Sequence, residues 1–133
     1  MRILIADDDF NNRTVLQGML TGYGDCDVVV TGKEALEAFI LAHEEKNPYD
    51  LICLDIMMPV MDGNEALVKM RAYEEHMGLL VPSEQAKIVM TTALDHPKDI
   101  IKAFYKGGCT AYLTKPITKK ALVEQLKDIG LLN

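Results

Sequence analysis

The stretch Leu51-Ile52-Cys53-Leu54-Asp55 carries the fold: an unbroken apolar run that closes on an acid. A strand with one wet face alternates polar with apolar residues. A run without alternation belongs to a strand covered on both faces, as in a parallel sheet between two helical layers. The same kind of run recurs at residues 3–6, 28–30, 88–90 and 111–113. Between these runs, apolar residues recur at helical spacing. The stripes are Val15, Leu16, Met19 and Leu20; Ala35, Leu36, Phe39 and Ile40; Ala66, Leu67 and Met70; Ile100, Ile101, Phe104 and Tyr105; and Ala121, Leu122, Leu126 and Ile129. Thr31-Gly32-Lys33-Glu34 has capping-box spacing, Asp9 and Thr118 are placed to cap the first and last helices, and Gly22, Gly24 and Gly107-Gly108 close helices. Five strands strictly alternating with five helices predict an α/β, doubly wound, five-stranded parallel sheet of order 2-1-3-4-5.

The 133 residues fit one domain, expected to span 1–133 with no output domain attached. The opening apolar stretch runs at once into Asp7, Asp8 and Asp9, unlike a secretory signal, and no run reaches the roughly 20 apolar residues of a membrane span. Cys26, Cys53 and Cys109 lack metal-ligand spacing, and Cys53 lies inside an apolar run; a reducing cytoplasm fits them. The net charge of −6 argues against nonspecific nucleic-acid binding, and no direct nucleic-acid partner is expected. It is unevenly spread: residues 1–85 hold 6 Lys/Arg against 16 Asp/Glu, residues 86–133 hold 8 against 4.

The polar residues fall at one edge. Asp7 and Asp8 follow the first strand and Asp55 the third, Thr91 and Thr92 end the fourth, and Lys115 lies just beyond the fifth. Open α/β sheets bind ligands beyond the carboxyl ends of their strands, where strand order reverses, and here that point lies between the first and third strands. Crowded carboxylates call for a cation; a hard divalent ion such as Mg²⁺ suits an all-oxygen site that keeps waters and shares a phosphate. With a carboxylate nucleophile, a lysine and a hydroxyl, these are the parts of phosphoryl transfer.

At these residues the chain resembles the response-regulator receiver family over essentially its whole length. The matching stretches are residues 3–9 (ILIADDD), 54–63 (LDIMMPVMDG), 89–93 (VMTTA), 108–112 (GCTAY) and 113–116 (LTKP). The resemblance implies the flavodoxin-like receiver fold and a signalling role in a two-component phosphorelay rather than an enzyme. It implies Asp55 as phosphoacceptor, and Asp8, Asp55 and the Met57 backbone carbonyl as ligands of Mg²⁺ (Mn²⁺ can substitute), with Asp7 acting through bound water. It further implies Thr92 as switch hydroxyl, Tyr112 as the coupled aromatic, Lys115 on the phosphoryl oxygens, and a cis Lys115–Pro116 bond. The implied partners are a histidine kinase or histidine phosphotransfer protein and a downstream protein, with no membrane partner and a monomer or weak dimer. A phosphatase with an aspartyl nucleophile would carry a second acid where this chain has Met57, and a degenerate receiver would lack part of the set.

Residues 76–86 lengthen the exit from the third helix, and Leu79, Leu80 and Val81 are expected to pack against the domain. Met57 and Leu94 are apolar where other receivers carry groups that orient an attacking water, so slow loss of the phosphoryl group is expected. Lys98, Lys102, Lys106 and Lys119 are expected on a partner-binding face built around the fourth helix, fifth strand and fifth helix.

Overall fold

The computed structural model describes residues 1–93 and 108–133. Its strands are β1 (Arg2–Ala6), β2 (Asp25–Val29), β3 (Leu51–Asp55), β4 (Lys87–Thr92) and β5 (Ala111–Thr114). Its helices are α1 (Phe10–Leu20), α2 (Gly32–Glu44), α3 (Gly63–His76) and α4 (Lys119–Asp128), with a 3₁₀ turn at Pro82–Glu84. The sheet is parallel throughout, in the order β2-β1-β3-β4-β5. The helix expected around Ile100–Tyr105 lies outside the described residues, as do Leu94, Lys98, Lys102 and Lys106.

Strand alternation divides the apolar runs between two cores. Leu4, Ala6, Ile52, Leu54, Ile88 and Met90 face α2 and α3, where Phe39, Leu67 and Met70 are fully buried. Ile3, Ile5, Leu51, Cys53, Val89 and Leu113 face the other layer, against Leu16 and Leu20 of α1 and Leu122 and Leu126 of α4. Each apolar run is thus read twice, odd residues one way and even residues the other, which is why it does not alternate.

β2 departs from that pattern. It lies at the sheet edge, Val28 is 43% exposed, and the strand is not covered on both faces as expected. Residues 76–86 depart as well: Leu79 is half-buried, but Leu80 is 67% exposed and Val81 48%. Polar bonds hold this segment in place of apolar burial. The Leu79 N–H donates to the Glu74 carbonyl, and the Gln85 side chain donates to the Leu79 carbonyl.

Caps set the helix starts. The Asp9 carboxylate accepts the Asn11 and Asn12 N–H groups, Asp62 that of Glu65, and Thr118 that of Ala121. Thr31 accepts the Glu34 N–H as expected, while the Glu34 carboxylate reaches back to the Val30 N–H.

A buried ion pair anchors the far end of the sheet. Glu74 is fully buried and meets Arg71 at 2.7 Å. Arg71 also donates to the carbonyls of Ala86 and Gly108 and to the Thr110 hydroxyl, and Glu74 accepts the Ala86 N–H. One guanidinium therefore ties α3 to the entries of both β4 and β5.

Candidate functional site

In the sheet register Ala6 pairs with Leu54, so β1 and β3 end side by side. Asp7 and Asp55 continue the face carrying Ile5 and Cys53, and both are buried; Asp8 turns outward and is exposed. The three carboxylates bring one oxygen each within 4.8 Å of the others. Lys115 enters from beyond β5, its N–H bonded to the Thr92 carbonyl. Its ammonium lies 2.7 Å from Asp7 and 3.3 Å from Asp55. The Lys115–Pro116 bond is cis, as the resemblance implies.

The remaining oxygens have smaller partners. Asp7 accepts the Asp9 N–H at 2.9 Å, and Asp55 meets the Met57 N–H at 3.4 Å. Arg13 of α1 donates to the Asp7 carbonyl, pinning the turn between β1 and α1.

One ammonium facing three carboxylates leaves the cluster short of positive charge. Burial, and then the neighbouring Asp7 carboxylate, push Asp55 up to about 6, against the pull of Lys115 and the Met57 N–H. Burial works against the charge on Lys115, but bonding to Asp7 and the field of Asp55 outweigh it and hold its pKa above the ordinary lysine value. The donors are hard oxygens, and the exposed Asp8 opens onto a depression of about 490 Å³ lined with Met57, Met58, Pro59 and Asp62. An all-oxygen set with an open, wettable side fits a hard divalent cation that retains waters.

The loop around this depression is tightly built. The Gly63 N–H donates to the Ile56 carbonyl, and a Cβ at Gly63 would collide with the Asp55 carbonyl oxygen. A Cβ at Gly32, the first residue of α2, would likewise collide with the Met61 carbonyl. Val60, at the loop's outer turn, is held at a φ of 70°, a costly conformation for a β-branched residue.

Thr91 pairs with Asp55 across β3 and β4, fully buried, its hydroxyl without a hydrogen-bond partner among the described residues. By strand alternation Thr92 continues the face of Met90, and Tyr112, paired with Met90, packs against that same core. Of the residues expected at the site, Asp7, Asp8, Asp55 and Lys115 therefore converge, Met57 lines the rim, and Thr92 and Tyr112 share the other face of the sheet. Lys119 is exposed at the first turn of α4. Arg13 was not anticipated, and Asp62 and Gly63 stood in the matching stretch 54–63 without a role of their own. Asp62 carried a readable signal, an acid three residues before Glu65 at a helix start; Arg13 acts through a contact to the Asp7 carbonyl that no local pattern announces.

The response regulator receiver domain family matches residues 3–127. The two-component response regulator ORR41 of Oryza sativa subsp. japonica is 33% identical over 122 residues, 92% of this chain and 88% of that protein. Hybrid signal transduction histidine kinase I of Dictyostelium discoideum is 35% identical over 127 residues, 92% of this chain and 7% of that protein. The chain thus spans from a small part to nearly all of its curated relatives. Among solved structures, the co-crystal of the Saccharomyces cerevisiae phosphotransfer protein Ypd1 with the receiver domain of Ssk1 contains a chain matching with a TM-score of 0.82 at 28% identity, covering 98% of this chain and 88% of that one. The receiver domain of the Arabidopsis thaliana histidine kinase CKI1, complexed with Mg²⁺ and BeF₃⁻, matches with a TM-score of 0.80 at 29% identity over 96% of this chain and 88% of that one.

Proposed function

The chain belongs to the response regulator receiver family of two-component signalling, and from that premise we propose that it accepts a phosphoryl group on Asp55 from a phosphohistidine and relays the change to a partner protein. The observation that carries this reading is the convergence of Asp7, Asp8 and Asp55 with the Lys115 ammonium at one sheet edge.

Asp8, Asp55 and the Met57 carbonyl would hold Mg²⁺, with Asp7 acting through a bound water. When bound, the ion supplies positive charge to the oxygens of the group in transfer. A carboxylate oxygen of Asp55 attacks phosphorus as the bond to the donor's imidazole nitrogen breaks. Lys115 then exchanges part of its contact with the carboxylates for a phosphoryl oxygen, so charge present before the reaction stabilises charge delivered by it. The new phosphoryl oxygens offer strong acceptors to the Thr92 hydroxyl. Movement of Thr92 shifts Tyr112 on the same face of the sheet and alters the surface offered to a partner. Lys119, exposed at the start of α4, would give that surface a basic character suited to an acidic partner. The donor is a histidine kinase or a histidine phosphotransfer protein; the Ypd1–Ssk1 complex is a precedent for the second kind in a related receiver.

Incubation with Mg²⁺ and acetyl phosphate, followed by intact mass, tests the acceptor. The expected result is one phosphoryl group on the wild type, none without Mg²⁺ and none on Asp55→Asn. A phosphoryl group retained on Asp55→Asn would overturn the assignment.

A further inference from the structure

We infer that Met57 is an oxidation site whose conversion to the sulfoxide shortens the life of the phosphoryl group on Asp55, an inference that rests on the phosphoacceptor reading above. Met57, Met58 and Met61 place thioethers directly after the acceptor, and the fold makes them unequal. Met58 is 8% exposed and belongs to the α2–α3 core, and Met61 is half-buried against it. Met57 is 60% exposed. It lines the open depression beside Asp8, and its N–H lies 3.4 Å from Asp55. Of these three residues Met57 is the most exposed, and it stands at the rim of the depression beside Asp55.

The oxidant is a peroxide. The sulfur lone pair attacks one peroxide oxygen, the O–O bond breaks, and the departing hydroxide takes up the remaining proton. The thioether loses two electrons to become a sulfoxide, and hydrogen peroxide is reduced to water. The chemical change is large for one atom. A thioether is a weak acceptor, so an apolar Met57 leaves water at the rim without orientation. The sulfoxide oxygen is polar and accepts a hydrogen bond from that water, holding it beside the phosphoryl group. Attack by the positioned water breaks the bond between phosphorus and Asp55, returning the carboxylate and inorganic phosphate. Oxidative conditions thus cut the signal short, and methionine sulfoxide reductases restore it.

The test compares phosphoryl decay before and after dilute hydrogen peroxide, with oxidised methionines located by peptide mass. Met77, 54% exposed and at the end of α3, is the internal comparator. Oxygen should be found on Met57 and Met77 but not on Met58, with decay several-fold faster than in untreated protein and restored by reductase treatment. Met57→Leu, still oxidised at Met77, should decay at one rate before and after peroxide. Unchanged decay with Met57 oxidised, peroxide-accelerated decay persisting in Met57→Leu, or a Met57 that resists oxidation would each overturn the inference. An untreated protein that takes no phosphoryl group would instead overturn the phosphoacceptor reading, and this inference with it.

Discussion

Asp55 sits where burial and a neighbouring carboxylate both oppose its charge, and Lys115 compensates only in part. Its pKa near 6 has a defined consequence for the metal-free protein. In the unfolded chain the carboxyl loses its proton at the ordinary aspartate value, whereas the fold retains it to about 6. Between those values the folded state binds more protons, so stability falls as pH rises through the window and levels off above it. Denaturant unfolding of metal-free wild type and Asp55→Asn at pH 4 to 8 should therefore give curves that diverge through that window, with Asn the more stable above it. Parallel curves would mean that Asp55 ionises without penalty. That Asp7, Asp8, Asp55 and Lys115 belong together was legible from their places at strand ends. That Asp7 bonds Lys115 more closely than Asp55 does was not, since it depends on side-chain directions across β1, β3 and the β5 exit.

The elements are held in register by contacts of two kinds, and only one is local. Caps such as Asp9, Asp62 and Thr118 act within three residues and can be read in the sequence. The Arg71–Glu74 pair looks from its spacing like an ordinary exposed i,i+3 pair. In the fold Glu74 is fully buried and its two oxygens are both used, by Arg71 and the Ala86 N–H. Removing one partner of a buried pair strands the other charge, so Glu74→Gln should lower unfolding free energy by about 3 kcal/mol. Exposed Glu65, paired with Lys69, is the control: Glu65→Gln should cost less than about 1 kcal/mol. Chemical denaturation of the two variants measures the contrast. The misread elements have the same origin. β2 has an apolar run but occupies the sheet edge, and residues 76–86 are pinned by backbone and glutamine hydrogen bonds, which leaves Leu80 and Val81 in solvent.

For the whole molecule, a divalent cation held by the acid cluster would couple its binding to folding. An ion bound only by the folded state stabilises it by about 2.7 kcal/mol at a hundredfold excess over its dissociation constant. Mg²⁺ should therefore raise the melting temperature of the wild type, and much less that of Asp8→Asn or Asp55→Asn; an equal rise in all three would locate the ion elsewhere. Among the described residues no helix is long and apolar enough to cross a membrane. The sequence by itself determined the parallel sheet, the strand–helix alternation as far as β4 and the edge at which the acids and the lysine gather, because apolar runs, helical stripes and strand-end acids are local patterns. It determined the identity of the acids and the lysine for the same reason. Tertiary structure alone decided which face of the sheet each side chain joins, which of Met57, Met58 and Met61 meets solvent, and that Glu74 is buried. Each of these depends on what packs against a residue from distant parts of the chain, and no spacing within a segment encodes its neighbours in space.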